Sequence, residues 1–180
     1  FKKYRKNRVM AKGEYVKKLL YIPIEIKSRD LDGRLLITLE ALKNDFNIII
    51  GKQLELKYLI TKYPQGIYFA KSASIADLNN FKNLKNFNHK IAVLDEEAII
   101  HQNEEAHIKS RYSNETLPLI DAILSWGEYD NSVVKKYFPE HINNYYIVGN
   151  PRMDLLRNEL RSFYKEAKKN LKNKYGKYII

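Results

Sequence analysis

Short, continuous apolar runs separated by stretches of helical spacing constrain this chain more than any other feature. Asn47–Ile50 (NIII), Lys90–Leu94 (KIAVL) and Tyr145–Val148 (YYIV) lack the in-out alternation of a half-exposed strand. Strands that read this way are covered on both faces, and a mostly parallel sheet with helices on each side covers them. The first fifty residues repeat the theme. Leu19–Glu25 (LLYIPIE) reads as a strand, IKSRDLDG as a polar loop, Arg34–Phe46 as a helix and NIII as a second strand ended by Gly51, together a βαβ unit. The alternation continues with a helix over Gln53–Lys62, a strand over Gly66–Ala70, a polar helix or loop over Ser74–Asn88, and the strand Lys90–Leu94. Helical spacing then covers Asn103–Arg111 and, behind the capping signal Ser113-Asn-Glu-Thr, Leu117–Asp121. Ala122–Trp126 is a strand, Asn131–Phe138 a helix stopped by Pro139, Tyr145–Val148 a strand, and Met153–Tyr175 one or two helices. The expected fold is α/β, a three-layer Rossmann-like domain over 19–176.

Composition narrows the class. With 44% hydrophobic residues, 7 Gly and 5 Pro in 180 residues, the chain has material for one core and is neither disordered nor collagen-like. The absence of Cys removes disulfides, thiolate catalysis and Cys-bound zinc, and is compatible with a cytoplasmic location. No apolar stretch approaches the roughly 20 residues that span a bilayer. The net charge of +11 suggests a polyanion partner until it is resolved by segment. Residues 1–18 carry +7, residues 157–180 carry +6, and the body between them sums to −2. Nucleic-acid binding is therefore not expected of the body. A basic arm is expected over 1–18, and both basic ends are candidates for an anionic membrane surface. The opening at Phe1 reads as that of a fragment.

In an open parallel sheet, ligands sit at the carboxyl ends of the strands. The residues there are Glu25, the run Ser28–Arg34, Lys71-Ser72, Asp95-Glu96-Glu97, Gly127-Glu128 and Gly149-Asn150-Pro151-Arg152. Asp32-Gly33-Arg34 stands where a strand hands over to a helix, so Gly33 can admit a ligand close to the backbone, with Asp32 as a plain N-cap the alternative. Three adjoining carboxylates, Asp95, Glu96 and Glu97, are candidates for a general base, since crowding and burial raise a carboxyl pKa. A metal or lysine-paired structural cluster, or a solvated helix start, would explain them equally. His89, His101, His107 and His141 lack metal-ligand spacing, so no metal is expected. Ser72 and Ser125 lack the G-x-S-x-G context of a hydrolase. The 14 tyrosines, Tyr15, Tyr145 and Tyr146 among them, read as compositional bias and not as a stacking platform for bases.

Taken in order, YIPIEIKSRDLDGRLL, GIYFAKSAS, AVLDEEAII, ILSWGEYD and VGNPRMDLLRNELRSFY resemble the bacterial surface carbohydrate (polysaccharide) biosynthesis family, glycosyltransferase-like proteins of the GT-B fold. The resemblance runs from about Leu19 to the C-terminus. It implies the N-terminal, acceptor-side half of a transferase, with 177–180 opening a donor domain and the isolated half inactive. It further implies a nucleotide sugar as donor substrate, no other cofactor, a glycan or lipid-linked acceptor, and work at the inner face of the plasma membrane in capsule or lipopolysaccharide assembly. Under it, Asp32, Gly33, Arg34, Lys71 and Ser72 line the acceptor side. Asp95, Glu96 and Glu97 supply the base or charge stabiliser, and Gly149, Asn150, Pro151 and Arg152 approach the donor phosphates. Glycerophosphotransfer or sugar-nucleotide epimerisation on the same architecture is the near alternative, and a non-catalytic basic binding module the distant one.

Overall fold

The computed structural model describes residues 18–97 and 103–177. It is an α/β protein whose six strands form one all-parallel sheet in the order β2-β1-β3-β4-β5-β6, flanked by helices on both faces in a Rossmann-like three-layer arrangement. The strands are β1 (Lys18–Ile24), β2 (Phe46–Lys52), β3 (Ile67–Ala70), β4 (Lys90–Leu94), β5 (Ala122–Ser125) and β6 (Tyr145–Ile147). The helices are α1 (Lys27–Lys43), α2 (Gln53–Leu59), α3 (Leu78–Asn86), α4 (Glu104–Arg111), α5 (Glu128–Tyr137), α6 (Pro151–Asp154) and α7 (Lys165–Tyr175).

The runs of β1, β3, β4 and β5 are continuous because each of these strands feeds two cores, whereas in the edge strand β6 Tyr145 alone is buried and Tyr146 and Ile147 are exposed. Tyr21, Tyr68, Ile91, Val93 and Ile123 face one layer with Phe81 and Leu84 of α3, Ile108 of α4 and Val133 and Val134 of α5. Their neighbours Leu20, Ile22, Phe69 and Leu94 face the other, against Ile37 and Ala41 of α1. Ordered this way, the sheet has one switch point, between β1 and β3. The chain leaves β1 for β2 on one side and returns to build β3 through β6 on the other. Crevices for ligands open at such a point.

The structure corrects several boundaries. The segment IKSRDLDG is not a loop, because α1 begins at Lys27, with Ile26 as its N-cap. Asp32, Gly33 and Arg34 therefore lie in its second turn, and Asp32 is not a cap. Phe46 opens β2 instead of closing the helix. Leu117–Leu119 is a single 3-10 turn, and just before it Ser113 Oγ accepts from the Thr116 amide at 3.2 Å. The C-terminal helical stretch is broken into α6, a 3-10 turn over Arg161–Tyr164 and α7. Lys18 belongs to β1 and not to a basic arm. The rest of the arm, with Tyr15, and also His101 and all but Lys177 of the segment 177–180, expected to open a further strand, lie outside the described residues.

Candidate functional site

Two strand-to-helix turns are built alike. Asp30 Oδ2 accepts from the amides of Glu25 (3.1 Å) and Ile26 (2.9 Å), and Asp130 Oδ2 accepts from that of Trp126 at 3.0 Å. In each case a carboxylate in the first turns of a helix reaches back to an amide at the end of the preceding strand, which aims the intervening residues over the sheet's carboxyl edge. Burial would raise the Asp30 carboxyl, but hydrogen bonds from Arg29 and from the Ile26 amide overcome it and hold the pKa below its usual value.

Across the switch point, Lys71 at the end of β3 pairs with Glu25 at the end of β1. Arg29 joins them, with Nη2 2.9 Å from Glu25 Oε2 and Nη1 3.5 Å from Glu97 Oε1. From the far side Arg111, at the end of α4, places Nη1 3.3 Å from Glu97 Oε2 and Nε 2.7 Å from Asp95 Oδ1. Glu97 thus bridges two arginines while its side chain stays 50% exposed. The hydrogen bond from Lys71 holds the Glu25 carboxyl below its usual range. Burial lowers the Arg111 pKa, but the Asp95 hydrogen bond outweighs it and the guanidinium ends above its usual value. Asp95 is buried, and its carbonyl accepts from Trp126 Nε1 at 2.6 Å.

A second cluster lies beneath. Arg34 Nη2 is 2.5 Å from Glu96 Oε1, both side chains at most 5% exposed, and the guanidinium stands 4.5 Å over the Phe69 ring. Burial lowers the Arg34 pKa, opposed by the Glu96 charge. Arg152 covers the pair, donating from Nη1 to the Glu96 carbonyl at 3.2 Å with Glu96 Oε2 at 3.8 Å. It lies so close to α1 that a Cβ on Gly33 would meet Arg152 Cγ at 2.9 Å. Asn150 is buried and caps α6, accepting from the Arg152 amide at 2.9 Å, after Gly149 has turned the chain at φ +81°. Pro151 is the first residue of α6. Asp32 bonds instead to the C-terminal segment, accepting from the Tyr164 hydroxyl at 3.1 Å.

Compared with protein-family models, curated proteins and solved structures, the chain matches none.

Of the residues singled out in the sequence, the structure brings Glu25, Lys71 and Glu97 to the open rim, with Asp95 buried against Arg111. It sets Gly33, Arg34, Glu96, Asn150, Pro151 and Arg152 in the cluster below. Ser72 turns inward, donating to Asp77 Oδ2 at 2.6 Å, while Asp77 also pairs with Lys57 at 2.9 Å. Arg111 and Trp126 were not anticipated. Arg111 stands 14 residues beyond Glu97 and reaches it only through the packing of α4, so no local pattern marks it. Asp30 did carry a signal. EIKSRD and SWGEYD both place Asp four residues after the amide it caps.

The rim holds three cations, Arg29, Lys71 and Arg111, each already engaged by a carboxylate. Such an edge presents alternating donors and acceptors with little net charge. Among the described residues no group of three His, Asp or Glu is arranged to hold a metal ion, and no helix is long and apolar enough to cross a membrane.

Proposed function

We propose that the open rim around the β1/β3 switch point receives the acceptor sugar of a glycosyltransferase that acts in surface polysaccharide assembly. The reading is carried by the Lys71–Glu25 pair that spans the switch point, with Arg29, Arg111 and Glu97 around it. Paired charges of both signs suit a neutral polyol, whose hydroxyls donate to carboxylates and accept from guanidinium groups, better than they suit a bare polyphosphate. The motif resemblance supplies the chemical class.

In this reading Glu97 is the base. All three carboxylates are paired with arginines, and Glu97 is the one whose side chain reaches solvent, while Asp95 and Glu96 are buried. The acceptor oxygen bonds to the anomeric carbon of a nucleotide sugar, the bond from that carbon to the phosphate oxygen breaks, the nucleotide leaves with the electron pair, and Glu97 takes the hydroxyl proton. Arg34, Glu96 and Arg152 are positioning residues that fix the end of β4 against α1 and α6. Donor phosphates would approach from the side of Arg152, whose side chain is 31% exposed.

The test is a thermal-shift screen of the chain against soluble glycans and nucleotide sugars, repeated with Arg29→Ala and Glu97→Gln. Binding to the folded state raises the melting temperature. A glycan that stabilises the parent chain and neither variant supports the reading. Equal stabilisation of all three contradicts it.

A further inference from the structure

The helix α7 does not pack into the body. Every residue of α7 is exposed, and an isolated helix of its 11 residues is shorter than the roughly 12–15 that are even marginally stable in water. Its side chains are sorted. At about 100° per residue, Ala167, Leu171 and Tyr175 fall within about 80° of arc. Lys168 and Lys172 border that stripe on one side and Lys174 on the other. The helix carries five lysines against Glu166 alone. Leu171 is 46% exposed and Tyr175 57%, and Lys174 Nζ stands 4.9 Å from the Tyr175 ring centre. Just before the helix, Phe163 is 64% exposed, its ring edge-on to that of Tyr164 at 4.9 Å. Tyr164 in turn is tied to Asp32 of α1, so the start of α7 is fixed to the body while Leu171 and Tyr175 stay about half exposed.

We infer that α7 docks on an anionic bilayer surface, with Phe163, Leu171 and Tyr175 dipping into the headgroup boundary and the flanking lysines pairing with lipid phosphates. A narrow apolar stripe with lysines on both borders and polar residues behind is the pattern of an in-plane interfacial helix. Long lysine stems can lie along the stripe while their charges reach outward. Duplex nucleic acid is the less suited partner, because lysine charges alone would serve it and three exposed apolar side chains would have no role. The inference is independent of the transferase reading, since α7 shares no residue with the rim.

The test is co-sedimentation of the chain with vesicles of phosphatidylcholine containing phosphatidylglycerol, against vesicles of phosphatidylcholine alone. Binding is expected only to the anionic vesicles and is expected to fall as salt rises, since exposed charges are screened within a few ångströms at high ionic strength. Each lysine near such a surface contributes about fivefold, the equivalent of about 1 kcal/mol. Lys168→Gln, Lys172→Gln and Lys174→Gln together should weaken partitioning on the order of 100-fold at low salt, while the three changes to Arg should preserve it. Leu171→Asp should weaken it in the charge-intact helix, an effect that purely electrostatic binding would not show. Since α7 contributes nothing buried, these variants should melt with the parent chain. Binding unchanged by the Gln and Asp variants overturns the inference. So does binding to duplex DNA that is tighter than to vesicles and lost with the same three lysines.

Discussion

Arg34 and Glu96 form an ion pair at 2.5 Å with neither side chain more than 5% exposed, and this pair joins the second turn of α1 to the end of β4. Removing one member of such a pair leaves the other charged in a place that cannot solvate it, at a cost of about 3–5 kcal/mol. Glu96→Ala should therefore lower the urea midpoint sharply. Replacing both by apolar residues of similar volume, Arg34→Met with Glu96→Leu, should recover most of the loss. Urea denaturation of the two variants beside the parent measures both effects.

The fold was legible where burial is two-sided. KIAVL declared a sheet covered on both faces, and the order of elements followed; NIII and YYIV proved to be its edge strands β2 and β6, where Ile50 and Tyr146 stay exposed. The start of α1 was not legible, because SRDLDGR carries a glycine and four charged residues where a core-facing helix turn would carry apolar ones. The structure gives their reason: Asp30 caps the preceding strand, Gly33 makes room for Arg152, and Arg34 is buried by its pairing with Glu96. Each role depends on a partner distant in the chain or on a turn not yet formed, which periodicity does not register. The rim was half legible for the same reason. The carboxylates cluster in sequence, whereas Arg111 arrives through tertiary packing.

Two glycines should respond differently to alanine. At Gly33 the new Cβ meets Arg152 Cγ at 2.9 Å and the Arg152 backbone nitrogen at 3.4 Å, and turning the side chain aside costs Arg152 its hold on Glu96. At Gly66 it meets the carbonyl oxygen of Leu19 at 2.5 Å and the Tyr21 ring at 2.8 Å, and a strand backbone cannot yield. Overpacking of that kind costs about 1–3 kcal/mol or more. Gly66→Ala should lose more stability than Gly33→Ala, in the same urea measurement.

Acid should weaken the chain through Asp30 and Glu25. Both carboxyls are held below their unfolded values of 3.8 and 4.5, so the stability they lend is complete above those values and is lost as pH falls through the lower, folded ones. Denaturation midpoints should fall below about pH 4.5, and Asp30→Asn should flatten that slope. A variant whose slope matches the parent's would assign the acid sensitivity elsewhere.

At the alkaline end the buried Tyr21 hydroxyl, which donates to the Pro64 carbonyl at 2.5 Å, has its pKa pushed up from 10.0 to about 12, chiefly by burial. Its contribution is complete below pH 10 and is lost as pH rises through the folded value. Tyr21→Phe should remove this loss above pH 10, read from midpoints between pH 9 and 12.

On the proposed reading, a sugar binds at the rim of the β1/β3 switch point. Backbone amide chemical shifts of the isotopically labelled chain, recorded during titration with the glycan that gives the largest thermal shift, test it most directly. The predicted result is a set of saturating shifts confined to residues 25–29, 71–72, 95–97 and 111, lost in Arg29→Ala. Saturating shifts that fall elsewhere, or none with any glycan of the screen, would contradict it.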